Sequence, residues 1–220
     1  KTNFNLPIHI HPECELNFIE NAKGAQRIVG DSIEEIDEEE LVLVTNPHLE
    51  HAWKDYRNVS KNIHEITIQF HPDLLTDTFL NKNQMISIRQ LFRHAERGVA
   101  FSRESIAKVR PLLKTLTCEN DSFYSLIKLL IILHELSIDK GMRELSTGQF
   151  AANVMHQHSS DESLGRVMDY LSRHYSEVIR LSEVAEMVNM SESSFCRFFK
   201  QPTSTSFIDL LTDIRLRAAS

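Results

Sequence analysis

Apolar positions along this chain follow one period up to about residue 70 and another beyond it. In the first part they come as short runs: Cys14–Ile19, Gln26–Val29, Leu41–Val44 and His64–Phe70, each rich in Val, Ile, Leu or Phe, or alternating with polar residues. Asn-Ala-Lys-Gly at 21–24, Gly30-Asp31 and Asn46-Pro47 punctuate them. Short runs broken by turn residues predict strands, and several at even spacing predict a small β-barrel or sandwich. From Pro72 the period becomes helical. Proline suits a first turn, where its missing N–H has no partner to lose, and Leu74, Leu75, Thr78 and Phe79 follow it. Met85 to Arg97 is closed by Gly98. Ser102 to Leu116 carries Ile106, Val109, Leu113 and Leu116 on one side. Ser122 to Lys140 follows Asn120-Asp121 and stops at Gly141.

The last of these helices is apolar on most of its circumference: Phe123, Leu126, Ile127, Leu129, Leu130, Ile131, Ile132, Leu133 and Leu136. Such a helix must be covered on nearly every side. A second copy of the chain is the expected cover, so residues 122–140 are the predicted homodimer contact. Residues 144–160 are polar and without period and are expected to be an interdomain linker. Leu164, Val167, Met168, Leu171 and Tyr175 then resume a helical stripe.

Leu181 to Lys200 reads as two short helices joined by a tight turn. Ser182 is the expected N-cap of the first, with Glu183 in the first turn where the helix dipole favours an acid. Val184, Ala185 and Val188 mark its buried stripe, Asn189 and Met190 break the pattern, and Ser191 caps the second helix. There Phe195, Phe198 and Phe199 form an apolar face opposite Ser193, Cys196, Arg197 and Lys200. A helix with one greasy face and one small, cationic face packs on its neighbour and fits a DNA major groove, where Arg197 reaches guanine or phosphate. An ordinary helical hairpin has the same pattern. For Arg197 the plainer alternative is an ion pair with Glu192 or Glu186, although exposed pairs of that kind contribute little.

The residues around this hairpin make it more specific. Leu181 and Ala185, the run Met190 to Lys200 (M-S-x-S-x-F-x-R-x-F-K), and Ser206, Phe207, Leu211 and Arg215 resemble the first helix-turn-helix and linker helix of the AraC family of transcription regulators. Ser204 stands where that family usually has glycine, which implies a differently shaped turn. The resemblance implies base-edge contacts from Ser193, Cys196 and Arg197, with Ser194 and Lys200 nearer the DNA backbone. It also implies a second helix-turn-helix beyond the linker helix. Near the other end, HIHPECEL is similar to the cupin H-x-H-x₃-E element, at His9, His11 and Glu15, and ELVLVTNPHLEHAW is similar to the second cupin element, at His51 and Trp53. Glu39-Glu40 replaces the Gly-Asp of that element, and Glu50 its last proline.

The expected architecture is therefore α+β. A cupin-like N-terminal β-barrel (1–71) with a helical bundle (72–143) leads through the linker (144–160) to an all-α helix-turn-helix domain (161–220), truncated after its linker helix. Charge tempers the DNA reading. The whole chain of 220 residues carries −7. Residues 161–220 hold seven Lys/Arg against nine Asp/Glu, and only 191–217 is marginally basic, at four against three. Affinity for double-stranded DNA is expected to be weak in this piece, because most non-specific affinity comes from cations on phosphates. Three cysteines, Cys14, Cys118 and Cys196, have no disulfide or metal spacing, which suits a cytoplasmic location. No apolar run is long enough for a bilayer.

His9, His11, Glu15 and His51 have the donor chemistry of a Zn, Fe, Mn or Ni site, and they equally suit a metal-free pocket that hydrogen-bonds an effector. AraC-type sensors imply the second, with neither metal nor cofactor. Trp53 is expected either to stack on a ligand or to pack in the core. The acidic run Glu34 to Glu40 is expected to be a solvated loop, since it lacks the alternation of a calcium loop. The functional expectation is a ligand-responsive, sequence-specific DNA-binding transcription regulator, not an enzyme. It senses a small polar effector through His9, His11, Glu15, His51 and Trp53. The rivals are a metal-dependent cupin enzyme (isomerase or dioxygenase) and a protein-interaction module.

Overall fold

A computed structural model describes residues 3, 4, 6–60, 62–203 and 205–218, and at 151–159, 161, 217 and 218 the backbone alone. Ser204, the turn position singled out above, lies outside the described residues. The strands are β1 (Cys14–Glu20), β2 (Gln26–Val29), β3 (Ser32–Glu35), β4 (Glu39–Val44), β5 (His51–Lys54), β6 (His64–Phe70), β7 (Val99–Ala100) and β8 (Arg143–Glu144). The helices are α1 (Asp77–Leu80), α2 (Ile86–Ala95), α3 (Arg103–Leu116), α4 (Ser122–Ser137), α5 (Gly148–His174), α6 (Leu181–Met187), α7 (Glu192–Thr203) and α8 (Phe207–Ala218). They form two compact units, 1–154 and 155–220.

In the N-terminal unit the strands make two antiparallel sheets, ordered β6-β1-β4-β7-β8 and β3-β2-β5. Among the described residues neither sheet closes on itself. The expected barrel is instead a pair of open sheets, because a barrel needs a continuous ladder and the outer edges of β3, β6 and β8 carry none.

Alternation along β1 sets the layers. Leu16 and Phe18 oppose Leu43 and Leu41 on β4 and Ile68 and Ile66 on β6, and all of these belong to the core under α2, α3 and α4. Ile19, Val42 and Val44 face the other way and meet Val29, Leu49 and Trp53 in a second core between the sheets. Each fully buried side chain of this size contributes about 1.5–3 kcal/mol. A one-residue register slip would exchange the two faces.

Helices α3 and α4 start where the sequence predicts. Ser102 Oγ accepts from the Ser105 N–H at 3.2 Å, and the Asp121 carboxylate accepts from the N–H groups of Phe123 (2.8 Å) and Tyr124 (3.2 Å). Helix α4 is covered on one face only. Leu129, Ile132, Leu133 and Leu136 are buried, while Phe123, Tyr124, Ile127 and Ile131 are exposed. Residues 144–160, expected to be without regular structure, are helical from Gly148. The polar residues before that helix anchor it. Thr147 Oγ1 accepts from the Phe150 N–H, and the Asp31 carboxylate accepts from Ser146 Oγ (2.7 Å), the Thr147 N–H (2.9 Å) and Thr147 Oγ1 (2.5 Å).

The acidic run is a solvated loop only at its middle, residues 36–38. Its ends lie in β3 and β4, and Arg27 pairs with Glu34 and Glu40, Arg143 with Glu34, Arg103 with Asp37 and Arg110 with Glu39. Arginines from other elements hold these acids because strands crossing at that corner bring them within reach, which spacing along the chain does not reveal.

In the C-terminal unit, Val167 and Leu171 of α5, Val184, Ala185 and Val188 around α6, Phe195 and Phe199 of α7, and Phe207 and Leu211 of α8 form one core. Phe195 lies 5.5 Å from Phe199 and 5.6 Å from Phe207, ring centre to ring centre. Ser182 is not the cap of α6. That helix begins one residue earlier at Leu181, and the Arg180 N–H donates to Glu183 Oε2 at 3.3 Å. Asn189 takes the left-handed conformation (φ 54°) that turns the chain between α6 and α7, one that asparagine tolerates better than most residues.

Candidate functional site

Helix α7 is held by its aromatic face and offers its other face to solvent. Phe195 and Phe199 are fully buried, whereas Ser193, Cys196, Arg197 and Lys200 are exposed and Ser194 is half-buried. Ser191 caps the helix as predicted, accepting from the Ser194 N–H at 3.3 Å, and its hydroxyl also donates to Ser194 Oγ at 2.9 Å. Arg197 makes neither of the ion pairs weighed for it, with Glu192 or Glu186, among the described residues. Arg215 serves structure, donating to the carbonyls of Tyr175 and Glu177, both at 2.7 Å.

In the N-terminal unit, β1 and β5 and the segment before β1 bring His9, His11, Glu15 and His51 together. One donor atom from each lies within 4.8 Å of all the others. His9 is placed by a two-way backbone bridge to His51, N–H to carbonyl at 3.2 and 3.1 Å. Glu15 and His51 are buried, and His9 and His11 are half-buried.

Backbone carbonyls settle the tautomers. Nδ1 of His9 faces the Pro7 carbonyl (2.9 Å), that of His11 the Glu13 carbonyl (3.0 Å) and that of His51 the Leu49 carbonyl (2.9 Å). A carbonyl only accepts, so each Nδ1 carries a proton and donates. Nε2 of His11 lies 3.2 Å from Nε2 of His51 and 3.1 Å from Glu15 Oε2, and Nε2 of His51 lies 3.7 Å from Glu15 Oε1. Gln69 Nε2 donates to Glu15 Oε2 at 3.0 Å. Burial holds the His51 imidazole below its ordinary pKa.

Next to this cluster is a cavity of about 220 Å³ lined by His9, Glu15 and Trp53 with Phe4, Leu6, Asn17, Glu65, Thr67 and Gln69. Trp53 packs in the core, one of the two parts foreseen for it. It is buried in the intersheet core, its indole N–H donates to Glu40 Oε2 at 3.0 Å, and it forms part of the cavity wall. His11 and His51 join the cluster but do not line the cavity.

The sequence reading missed Asn17, Glu65, Thr67 and Gln69. A usable signal existed. Asn17 is two residues from Glu15, and Glu65, Thr67 and Gln69 share that period on β6, where Gln69 opposes Glu15 and Thr67 opposes Asn17. Asn17 Nδ2 donates to Glu65 Oε1 (3.2 Å), and Thr67 Oγ1 donates to Asn17 Oδ1 (3.3 Å). The wall thus carries two carboxylates and no lysine or arginine, a setting that disfavours anions. Cys14 faces the opposite side, where burial pushes its thiol up to about 11.

No protein-family model matches the chain. No curated protein matches it. Among solved structures, the chain is similar to ToxT from Vibrio cholerae O395 bound to (E)-4-(8-methylnaphthalen-1-yl)but-3-enoic acid, at 10% identity and a TM-score of 0.38, covering 97% of this chain and 96% of that one. A second ToxT structure from Vibrio cholerae matches at 9% identity and a TM-score of 0.35, covering 96% and 95%. A likeness of that degree carries no functional information.

Proposed function

We propose that the chain is part of a transcription regulator in which α7 reads DNA and the N-terminal unit senses a small polar effector. The observation that carries this reading is the division of α7. Phenylalanines anchor one face in a core, and Ser193, Cys196, Arg197 and Lys200 stand in solvent on the other. Small side chains allow close approach to base edges, and an arginine without an ion-pair partner among the described residues reaches guanine O6 and N7 or a phosphate. Ser194 is tied into the helix cap and acts nearer the DNA backbone. The AraC-like motif from Met190 to Lys200 supports the same assignment.

The effector site is the cavity beside β1 and β6, reached past His9 and Trp53. Its two carboxylates and its amides favour a neutral polyol or a cationic ligand. The chain works as a binder in the cytoplasm, with no catalysis of its own. The exposed stripe Phe123, Tyr124, Ile127 and Ile131 on α4 supports a homodimer, which would place two readers on paired half-sites. For the effector to regulate, it must bind the DNA-competent and incompetent arrangements with unequal affinity. In vitro selection from random DNA followed by footprinting of the full-length protein tests the reading. Enrichment and protection of one sequence are expected, and protection of no sequence would leave an interaction module as the better account.

A further inference from the structure

Trp53, Glu40, Arg27, Glu34 and Arg143 form a row of hydrogen bonds that starts in the cavity wall and ends on strand β8. The Trp53 indole N–H donates to Glu40 Oε2 at 3.0 Å, and Glu40 Oε1 accepts from Arg27 Nη1. Arg27 Nη2 donates to Glu34 Oε2 at 2.8 Å, and Glu34 accepts from both Nη1 (3.0 Å) and Nη2 of Arg143. Strand register makes the row, since Arg27 on β2 stands opposite Trp53 on β5 and Glu34 on β3. Arg27 is only 1% exposed. A charge so deeply buried is strongly destabilising without its counter-charges, so when one carboxylate moves, the guanidinium and the other carboxylate follow.

The far end of the row is the segment from which α5 departs. Residues 143–147 lead from β8 to α5, which begins at Gly148. The β2–β3 hairpin clasps this segment twice: Glu34 holds Arg143, and Asp31 in the turn holds Ser146 and Thr147. The fit is close, for a Cβ on Gly30 of that turn would lie 2.6 Å from Ser146 Oγ. On its other side the segment has a backbone seam. The N–H groups of Leu145 and Ser146 donate to the carbonyls of Gly98 and Arg97, both at 2.8 Å. A segment with a fixed seam on one side and side-chain clasps on the other tilts when the clasps shift.

We propose that this row is the transmission of the sensor: a ligand touching Trp53 in the cavity wall moves the β2–β3 hairpin, and the hairpin tilts residues 143–147 and the start of α5. Its regulatory meaning rests on the sensor reading above, and a ligand drives it only by binding two placements of Trp53 with unequal affinity. Stability alone does not call for a charge at position 27, where a well-packed apolar residue would serve as well. What the charged row supplies is a fixed connection between the cavity and the root of α5.

The coupling is measurable without the effector, because Trp53 is the only tryptophan and reports on its own surroundings. In the full-length protein, Arg143→Gln cuts the row at its exposed far end. That variant is expected to shift Trp53 emission and its quenching by acrylamide. Arg103→Gln breaks the pair with Asp37 in the same acidic corner but off the row, and is expected to change neither. In the opposite direction, Trp53→Phe keeps an aromatic wall and removes the N–H. Amide hydrogen exchange read by mass spectrometry is expected to quicken about 2- to 10-fold at residues 143–150, the share of one hydrogen bond, with α3 and α4 unchanged. Circular dichroism establishes folding, and Arg143→Gln decides alone if Trp53→Phe does not fold. Emission unchanged in Arg143→Gln, emission changed equally in Arg103→Gln, or unchanged exchange at 143–150 in folded Trp53→Phe overturns the inference. Footprinting in the same samples keeps the two proposals apart: coupling without a footprint sinks only the DNA reading, and a footprint without coupling sinks only this one.

Discussion

Replacing Arg197 with alanine separates DNA reading from folding, because the structure assigns that side chain no internal task. It is exposed and pairs with neither Glu192 nor Glu186. Its loss should therefore change unfolding free energy by no more than about 0.5 kcal/mol. If the guanidinium grips a base, operator affinity should fall by about 1–3 kcal/mol, roughly 5- to 150-fold. The preference at one base position should also flatten. If it grips a phosphate, affinity should drop for all sequences alike and the salt dependence should lose about one unit of slope.

Phe199→Ala provides the contrast. That ring is fully buried, 5.5 Å from Phe195 and 5.8 Å from Phe207, and its removal should cost about 3–5 kcal/mol. A unit the size of residues 155–220 commands only about 3–10 kcal/mol in all. This variant should lose DNA binding by unfolding, visible as lost helix in circular dichroism, with the N-terminal unit still folded. Fluorescence anisotropy on selected operators, in a salt series, reads both variants. An Arg197→Ala protein that is folded, binds as tightly and keeps the same preference would remove the exposed face of α7 from the interface.

Three further outcomes are expected. Hydrogen bonds from Thr147 and Ser146 hold the Asp31 carboxylate down at about 2, and Arg143 with Arg27 holds Glu34 at about 2. Both are depressed below their unfolded values of about 4. Their stabilisation is thus complete above about pH 4 and is lost as pH falls toward 2. Urea midpoints of the N-terminal unit should drop across that window, less steeply in Asp31→Asn, and an equal slope in that variant would refute the assignment. Gly30→Ala places a methyl 2.6 Å from Ser146 Oγ at φ 56°, and a left-handed backbone alone costs about 1–2 kcal/mol. A lowered melting temperature of the N-terminal unit is expected, and an unchanged one would contradict the packing at that turn. The pair Ile127→Glu and Ile131→Glu on α4 should convert a dimer to a monomer in gel filtration with light scattering, while a retained dimer would exclude that face.

Strands β1, β2, β4 and β6 were legible to within a residue or two, because each is an apolar run or an alternation bounded by turn residues. Strand β3 was not, since its SIEE is hidden in an acidic run whose partners, Arg27 and Arg143, lie far along the chain. Strands β7 and β8, two residues each, leave no period at all. The first half of helix α5 escaped notice because its first turns follow polar anchors to Asp31 rather than an apolar stripe, whereas the stripe from Leu164 marked its second half. At the site, the histidine spacing and Glu15 pointed to the cluster. The wall of Asn17, Glu65, Thr67 and Gln69 depended on β1–β6 register, which only the folded sheet supplies.

That register has a consequence for how the protein could change over generations. Strand β1 turns Leu16 and Phe18 toward the helices and Glu15 and Asn17 toward the cavity, and β6 repeats the division. Chemical taste and structural footing thus sit on alternate residues of the same two strands. Positions 15, 17, 65, 67 and 69 can be rewritten to suit a new visitor while the hydrophobic underside stays as it was, so new specificities lie a few substitutions away from a chain that still folds.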